Sequence, residues 1–186
     1  MLYVKQSLAP GEDLIHVARF HWFYDVQAIL NIAWGLFFAI SILAVAVTAE
    51  QYLPSSVAKL FVTSDLQEGD SWLTIVRKLH PGIKLFSLLI FIIGVFRCVQ
   101  MLVIKATTEI AVTTSRLIFK RGLVARYVGE MNIDRIESVS VLQSVFGRIF
   151  DFGTLVVRGM GVGELVLPPI ARPLVFRKAI EKARTS

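Results

Sequence analysis

The sequence predicts an α+β membrane protein with two transmembrane helices, followed by a small antiparallel β-sandwich or barrel that a C-terminal amphipathic helix caps. Hydrophobic residues make up 55% of the 186-residue chain and charged residues only 18%, whereas about a quarter of an average soluble domain is charged. Two long apolar runs occupy much of the first half of the chain, and short alternating segments follow them. Part of the chain is therefore expected to face lipid.

The two apolar runs are each long enough to cross a bilayer. Residues 26–47 carry no charge over 22 positions, and at about 1.5 Å per helical residue they span about 33 Å, against a hydrocarbon core of about 30 Å. Residues 85–104 form the second run and contain one charge, Arg97. The predicted order is a cytoplasmic N-terminal segment, a first span, a periplasmic loop, a second span and a cytoplasmic domain: 1–25, 26–47, 48–84, 85–104 and 105–186.

The distribution of basic residues predicts the orientation. The chain after residue 104 contains 13 of the 20 Lys and Arg residues, and cytoplasmic segments carry such an excess. With two spans, both termini lie on the same side, so both are expected in the cytoplasm. A cleaved signal peptide is the alternative for the first run, but this run starts late and is longer than the apolar core of such peptides.

After residue 105 the pattern changes to short segments separated by turn residues, which is typical of a small β domain. A helix is then predicted from Pro173, because apolar residues recur on one face and charged residues on the other. The six predicted strands are 109–112, 116–120, 123–127, 136–142, 154–157 and 164–167. The apolar face of the predicted helix contains Val175, Phe176, Ala179, Ile180 and Ala183.

Several segments outside the predicted outer loop contain distinctive motifs: 8–12, His21-Trp22, Thr113–Phe119 with Arg121-Gly122, Ile133–Val139, Gln143-Ser144, Gly147-Arg148 and Phe152–Leu155. Together they resemble the membrane-anchored type of the bacterial pleckstrin-homology-like (PH-like) domain family. The resemblance implies a bent antiparallel sheet capped by the C-terminal helix, held under the membrane by two spans. That fold has seven strands, so residues 14–19 are expected to supply an edge strand.

No residue pattern predicts catalysis, so the chain is expected to be neither an enzyme nor a cofactor- or metal-binding protein. His16 and His21 are five positions apart, which is wrong for a helical metal pair. The glycines between 159 and 163 precede a predicted strand, whereas a phosphate-binding glycine loop opens a helix. Cys98 is the only cysteine, which excludes an internal disulfide.

Two sets of polar residues are candidate sites. Arg116, Lys120, Arg121 and Arg126 cluster on the first predicted hairpin and its neighbour, where they are expected to contact a lipid headgroup or a partner. Within the spans, Asn31, Arg97 and Gln100 are expected to form a polar contact between the helices. Gly35 and Ala39 form a small-xxx-small pair that permits close helix packing.

The favoured function is a non-enzymatic protein of the bacterial inner membrane, whose PH-like domain acts as a protein-interaction, scaffolding or oligomerisation module. An anionic-lipid sensor that uses the basic hairpin is the first alternative, and an accessory subunit of a channel or transporter is the second. The expected partners are membrane lipids, other membrane or cytoplasmic proteins, and further copies of the chain. Nucleic acid is not expected, because aromatic residues do not interleave with the basic ones.

Overall fold

The computed structural model describes residues 2–52, 54–58, 60–63, 71–122, 127–161 and 163–185. It divides into two compact units. One contains residues 1–25 and 102–186, and the other contains residues 26–101. The architecture is α+β, with two long apolar helices, antiparallel sheets and a C-terminal helix, so the predicted fold class is confirmed.

The first unit is a β domain with two antiparallel sheets. The first sheet has the order β1-β2-β3-β4, and the second has the order β5-β6-β7, with β8 also pairing with β6. The strands are β1 (Leu14–Ala18), β2 (Glu109–Thr113), β3 (Arg116–Arg121), β4 (Tyr127–Asn132), β5 (Ile136–Leu142), β6 (Phe152–Gly159), β7 (Gly163–Val166) and β8 (Ile170–Ala171). The helical elements of this unit are α1 (Leu2–Ser7), the 3-10 helix η1 (Ile133–Arg135), α6 (Val145–Ile149) and α7 (Pro173–Thr185).

The expected edge strand in residues 14–19 is present as β1, which pairs antiparallel with β2. The domain is therefore assembled from both ends of the chain, with the helical residues lying between its first two strands in sequence. The strand predicted at 123–127 overlaps the described part of the chain only at Tyr127. The described strand starts at Tyr127 and continues to Asn132, and residues 123–126 lie outside the described part of the chain. Its pairing with β3, from Arg121↔Tyr127 to Arg116↔Asn132, selects this register.

The predicted C-terminal helix is confirmed as α7, and it covers the core between the two sheets. Phe176, Ile180 and Ala183 are buried together with inward side chains of both sheets. Val175, which the helical pattern assigned to the same face, is exposed instead. Val175 lies about 100° around the helix from the buried Phe176, at the margin of the apolar face.

The second unit contains most of two long helices, α2 (Trp22–Tyr52) and α5 (Pro81–Thr107), with the short helices α3 (Ser55–Ala58) and α4 (Trp72–Lys78) in the connection. Both long helices are long and apolar enough to cross a membrane. Each extends beyond the predicted apolar run at both ends. The apolar run marks only the part suited to hydrocarbon, whereas the backbone hydrogen-bond ladder continues through polar flanking residues.

The two long helices pack closely through small residues. The space beside Gly35 is filled by Gly94, so that a Cβ on Gly35 would lie 3.1 Å from the Gly94 Cα. One turn further along α2, the carbonyl of Ala39 accepts a 2.9 Å hydrogen bond from the Ser87 hydroxyl. The close packing predicted for Gly35 and Ala39 is confirmed, and Gly94 is the matching residue that sequence analysis missed.

Candidate functional site

Arg116, at the start of β3, is held by acidic groups of its own domain. Its Nε and Nη2 atoms donate to the two carboxylate oxygens of Glu12, at 3.0 and 2.9 Å. Its Nη1 donates to Glu130 at 2.7 Å, and Nη2 also donates to the carbonyl of Ser7 at 2.6 Å. The guanidinium therefore serves to join the N-terminal segment to the first sheet.

The carboxylate of Glu12 is buried and surrounded by donors. Burial by itself raises the pKa of Glu12, but hydrogen bonds from Arg116, from the backbone N–H of Ala9 and from the hydroxyls of Thr113 and Ser115 outweigh it and lower the pKa to about 2. The Arg116 pKa is raised, chiefly by its hydrogen bonds to Glu12. Both groups therefore remain charged at neutral pH.

The other predicted basic residues lie in different surroundings. The Lys120 ammonium is 3.9 Å from a carboxylate oxygen of Glu109 and 5.1 Å from the ring centre of Tyr3. Arg121 is exposed at the end of β3, and Arg126 lies outside the described residues. Arg116 and Lys120 thus have partners within the domain, and the structure does not gather the predicted basic set into a single free patch of described side chains.

The polar residues of the spans also differ in position. The Asn31 amide donates to the carbonyl of Gln27 at 2.9 Å and contacts the Met101 sulfur at 3.3 Å. Arg97 and Gln100 lie on the exposed side of α5. Among the hydrogen bonds of the described residues, Asn31 is joined to Met101 and not to either of these two. Buried residues such as Gly94 and Cys98 mark the inward face of α5, and Gln100 projects away from it.

The outer edge of β5 is a surface that sequence analysis did not locate. β5 pairs only with β6, so its other side is a free sheet edge among the described strands. Ser138 and Ser140 are exposed, while Val139 and Val141 pack against the core. This alternation of serine and valine predicts a half-buried strand from the sequence. It does not predict an edge strand, because the sequence of one strand does not contain the order of the strands in the sheet.

A cleft of about 600 Å³ lies between β1 and the segment of β8 that leads into α7. Two arginines and one histidine line it, together with apolar side chains and backbone. Arg19 and Arg172 are exposed, and neither forms an ion pair with a described acidic residue. The lining residues are Leu14, Ile15, His16, Val17, Arg19, Ala171 and Arg172.

Within the part of the chain that the structure describes, no group of three or more His, Cys, Asp or Glu side chains is placed so that it could hold a metal ion. The fold and its surfaces define a small antiparallel β module, which carries a pair of long apolar helices between its first two strands. Such a module presents sheet edges and clefts for binding.

The chain belongs to the bacterial PH domain family. The family model, described as a bacterial PH domain, matches residues 14–184. This match begins at the first residue of β1 and ends within α7, so it includes the helical hairpin. Comparison with curated proteins and with solved structures found no match.

Proposed function

We propose that this protein is a two-pass protein of the bacterial inner membrane, with both termini in the cytoplasm, and that its PH domain binds a protein segment by strand addition at β5. The single observation that carries the binding proposal is the free edge of β5. The membrane placement is supported by the two long apolar helices and by the excess of basic residues after residue 104.

The edge of β5 is suited to strand addition because it lacks the usual protection. In an antiparallel pair, every second residue of an edge strand directs its N–H and C=O away from the sheet. Natural edges are commonly blocked by Lys, Pro, short length or a bulge. β5 contains neither Lys nor Pro over Ile136–Leu142. Its one charged residue, Glu137, and its one irregularity, between Ile136 and Ser138, both lie at the start of the strand.

Two of the other edges are less suitable. β7 has only four residues, Gly163–Val166. The free side of the segment after β1 is occupied, since Phe20 forms a bridge with Ile170 and the Arg19 carbonyl accepts a 2.9 Å hydrogen bond from the Ala171 N–H. β4 is a free edge of six residues and carries Glu130, so it provides a matched comparison for β5.

The proposal is tested by site-specific photo-crosslinking in cells that express the full chain. A photoreactive amino acid at Leu142, the exposed end of β5, is expected to give a discrete adduct heavier than the 20.8 kDa chain. Adding Ser138→Lys and Ser140→Lys is expected to abolish this adduct, because charged side chains along an edge oppose strand pairing. An adduct at twice the chain mass would identify a second copy as the partner.

Val128→Lys is the control for added positive charge, since it places a lysine on the β4 edge of the other sheet. It is expected to leave the Leu142 adduct unchanged. Persistence of the adduct in the Ser138/Ser140 variant, or equal loss in the Val128 variant, would contradict strand addition at β5.

Binding of an anionic lipid headgroup is the second candidate, and the cleft with Arg19 and Arg172 favours it. Arg19 is three positions before α2 begins, which places it near the headgroup layer if α2 spans the membrane. The predicted hairpin site has weaker support because Arg116 is bonded to Glu12 and Glu130. We expect Arg19→Gln with Arg172→Gln to reduce retention of anionic lipid by the purified full chain, whereas Arg177→Gln on α7 should not. Equal lipid retention by the two proteins would exclude the cleft.

A further inference from the structure

The most exposed apolar side chains of the β domain lie together on and beside the short helix α6. Val145 is 75% exposed, Ile149 is 67% exposed and Phe146 is 64% exposed. Leu142 and Phe150, which flank the helix, are also exposed. A contiguous apolar surface of this kind on a small domain marks an interaction site.

The backbone of α6 is held in place by specific contacts. The Ser144 hydroxyl caps the helix by accepting a 3.1 Å hydrogen bond from the Gly147 N–H. The Gln143 amide donates to the carbonyls of Gly147 and Phe152, at 3.2 and 3.1 Å. A Cβ on Gly147 would lie 2.6 Å from the Phe152 carbonyl oxygen. The apolar side chains are thus presented on an ordered support.

The α6 surface is continuous with the start of α2. The Trp22 ring contacts the Phe150 ring edge-on at 5.7 Å, and the Phe23 ring stacks on Phe150 and Phe152 at 6.2 and 5.0 Å. Trp22 is the first residue of α2 and of the candidate span. Tryptophan at the end of a span characteristically lies at the membrane–water interface.

An ion pair joins the two chain segments that connect the β domain to the long helices. Lys105, near the end of α5, forms an ion pair with Asp25, near the start of α2, at 2.6 Å. Trp22 and Phe23, whose rings contact the aromatic residues beside α6, lie within three residues of Asp25 in sequence.

We propose that α6 inserts its apolar face, formed by Val145, Phe146 and Ile149, into the interfacial layer of the same membrane, next to the start of α2. This inference rests on the proposed membrane placement. The bilayer is the partner of the α6 surface because this surface adjoins Trp22, the residue at which the first candidate span begins. Arg148 is exposed on the same helix, and insertion of α6 brings its positive charge to the anionic lipid headgroups. The insertion gives the domain a membrane contact in addition to the spans.

The test measures the depth of α6 in vesicles that contain the full chain. Cys98→Ala removes the only cysteine, and a polarity-sensitive fluorophore is then attached at Phe146→Cys or Val145→Cys. Lipids with a quencher on the upper part of the acyl chain are expected to quench this label several-fold more than a water-soluble quencher does.

Met160→Cys is the matched control within the domain. Met160 is 60% exposed, similar to Phe146, but it follows the far end of β6. Since β6 has eight residues, at about 3.3 Å per residue this places it about 25 Å from the α6 end. The label at this position is expected to respond to the water-soluble quencher only.

Ile92→Cys, exposed in the middle of α5, is the control for membrane spanning. Lipid quenching at Ile92 without lipid quenching at Phe146 would overturn the insertion of α6 while leaving the spans in place. Absence of lipid quenching at both positions would overturn the spans as well. Phe146→Glu combined with Ile149→Glu is expected to abolish lipid quenching of the Val145 label while leaving the circular dichroism spectrum unchanged.

Discussion

The Arg116 guanidinium donates to both carboxylate oxygens of Glu12, 104 positions earlier in the sequence, through bonds of 3.0 and 2.9 Å. Glu12 precedes β1, and Arg116 begins β3. Because β1 comes before the helical hairpin and β3 after it, this pair forms only when both ends of the chain have met. It is the most buried ion pair among the described residues.

Replacing Glu12 by Gln is expected to lower the free energy of unfolding of the β domain by about 3 kcal/mol, because Arg116 then loses its main counter-charge in a partly buried site. Hydrogen exchange of β2 and β3 peptides in the detergent-solubilised full chain measures this change. Glu181→Gln, which removes the exposed Arg177–Glu181 pair on α7, should cost less than about 0.5 kcal/mol. Equal effects of the two substitutions would contradict a structural role for Glu12.

The pH dependence of stability follows from the lowered pKa of Glu12. A carboxylate whose pKa falls from 4.5 to about 2 on folding stabilises the native state above pH 4.5, and this contribution is lost as the pH falls towards 2. The difference in unfolding free energy between the natural chain and the Glu12→Gln variant should shrink from about 3 kcal/mol near pH 6 to almost nothing near pH 2. Urea titrations in detergent measure it, and a constant difference across this range would refute the assignment.

Gly94 is expected to tolerate no larger side chain. A Cβ at this position would lie 2.7 Å from the Asn31 carbonyl oxygen and 3.0 Å from the Gly35 Cα. Gly94→Val should therefore separate the two helices and cost about 1–3 kcal/mol, seen as a lower midpoint in dodecyl sulfate unfolding. Ala33→Val adds volume on the exposed side of α2 and should leave the midpoint nearly unchanged. A Gly94 variant as stable as the natural chain would argue against close packing.

The proposed orientation predicts the behaviour of reporter fusions. Alkaline phosphatase, which folds only after export, should be inactive when fused after Ser186 and active when inserted after Ser71, between the two long helices. Moving both termini outside would require export of a segment that carries 13 of the 20 basic residues. The reverse pattern of reporter activity would contradict the topology.

The two long helices and α7 were predictable from sequence because their signals are local. A run of about 20 apolar residues is sufficient to identify a membrane-length helix. In α7, the spacing of Phe176, Ile180 and Ala183 repeats with the helical period. The motifs at Gln143-Ser144 and Gly147 identified the family, and the structure shows that they build the support of α6.

The candidate sites depended on contacts that no local pattern contains. Arg116 and Lys120 were predicted to contact a lipid headgroup or a partner, because no local pattern in the sequence predicts that Glu12 and Glu109 lie beside them. Asn31 meets Met101 and not Arg97, since the rotation of each helix is set by the packing of Gly35 on Gly94.

The amino-acid sequence alone determined that the chain combines two apolar helices with a small β domain that ends in an amphipathic helix, because hydrophobic run length and periodicity are properties of neighbouring residues. Only the tertiary structure decided which charges are neutralised, that β5 is a free edge and that α6 adjoins Trp22. These features join residues far apart in the chain, and strand order and helix rotation set them.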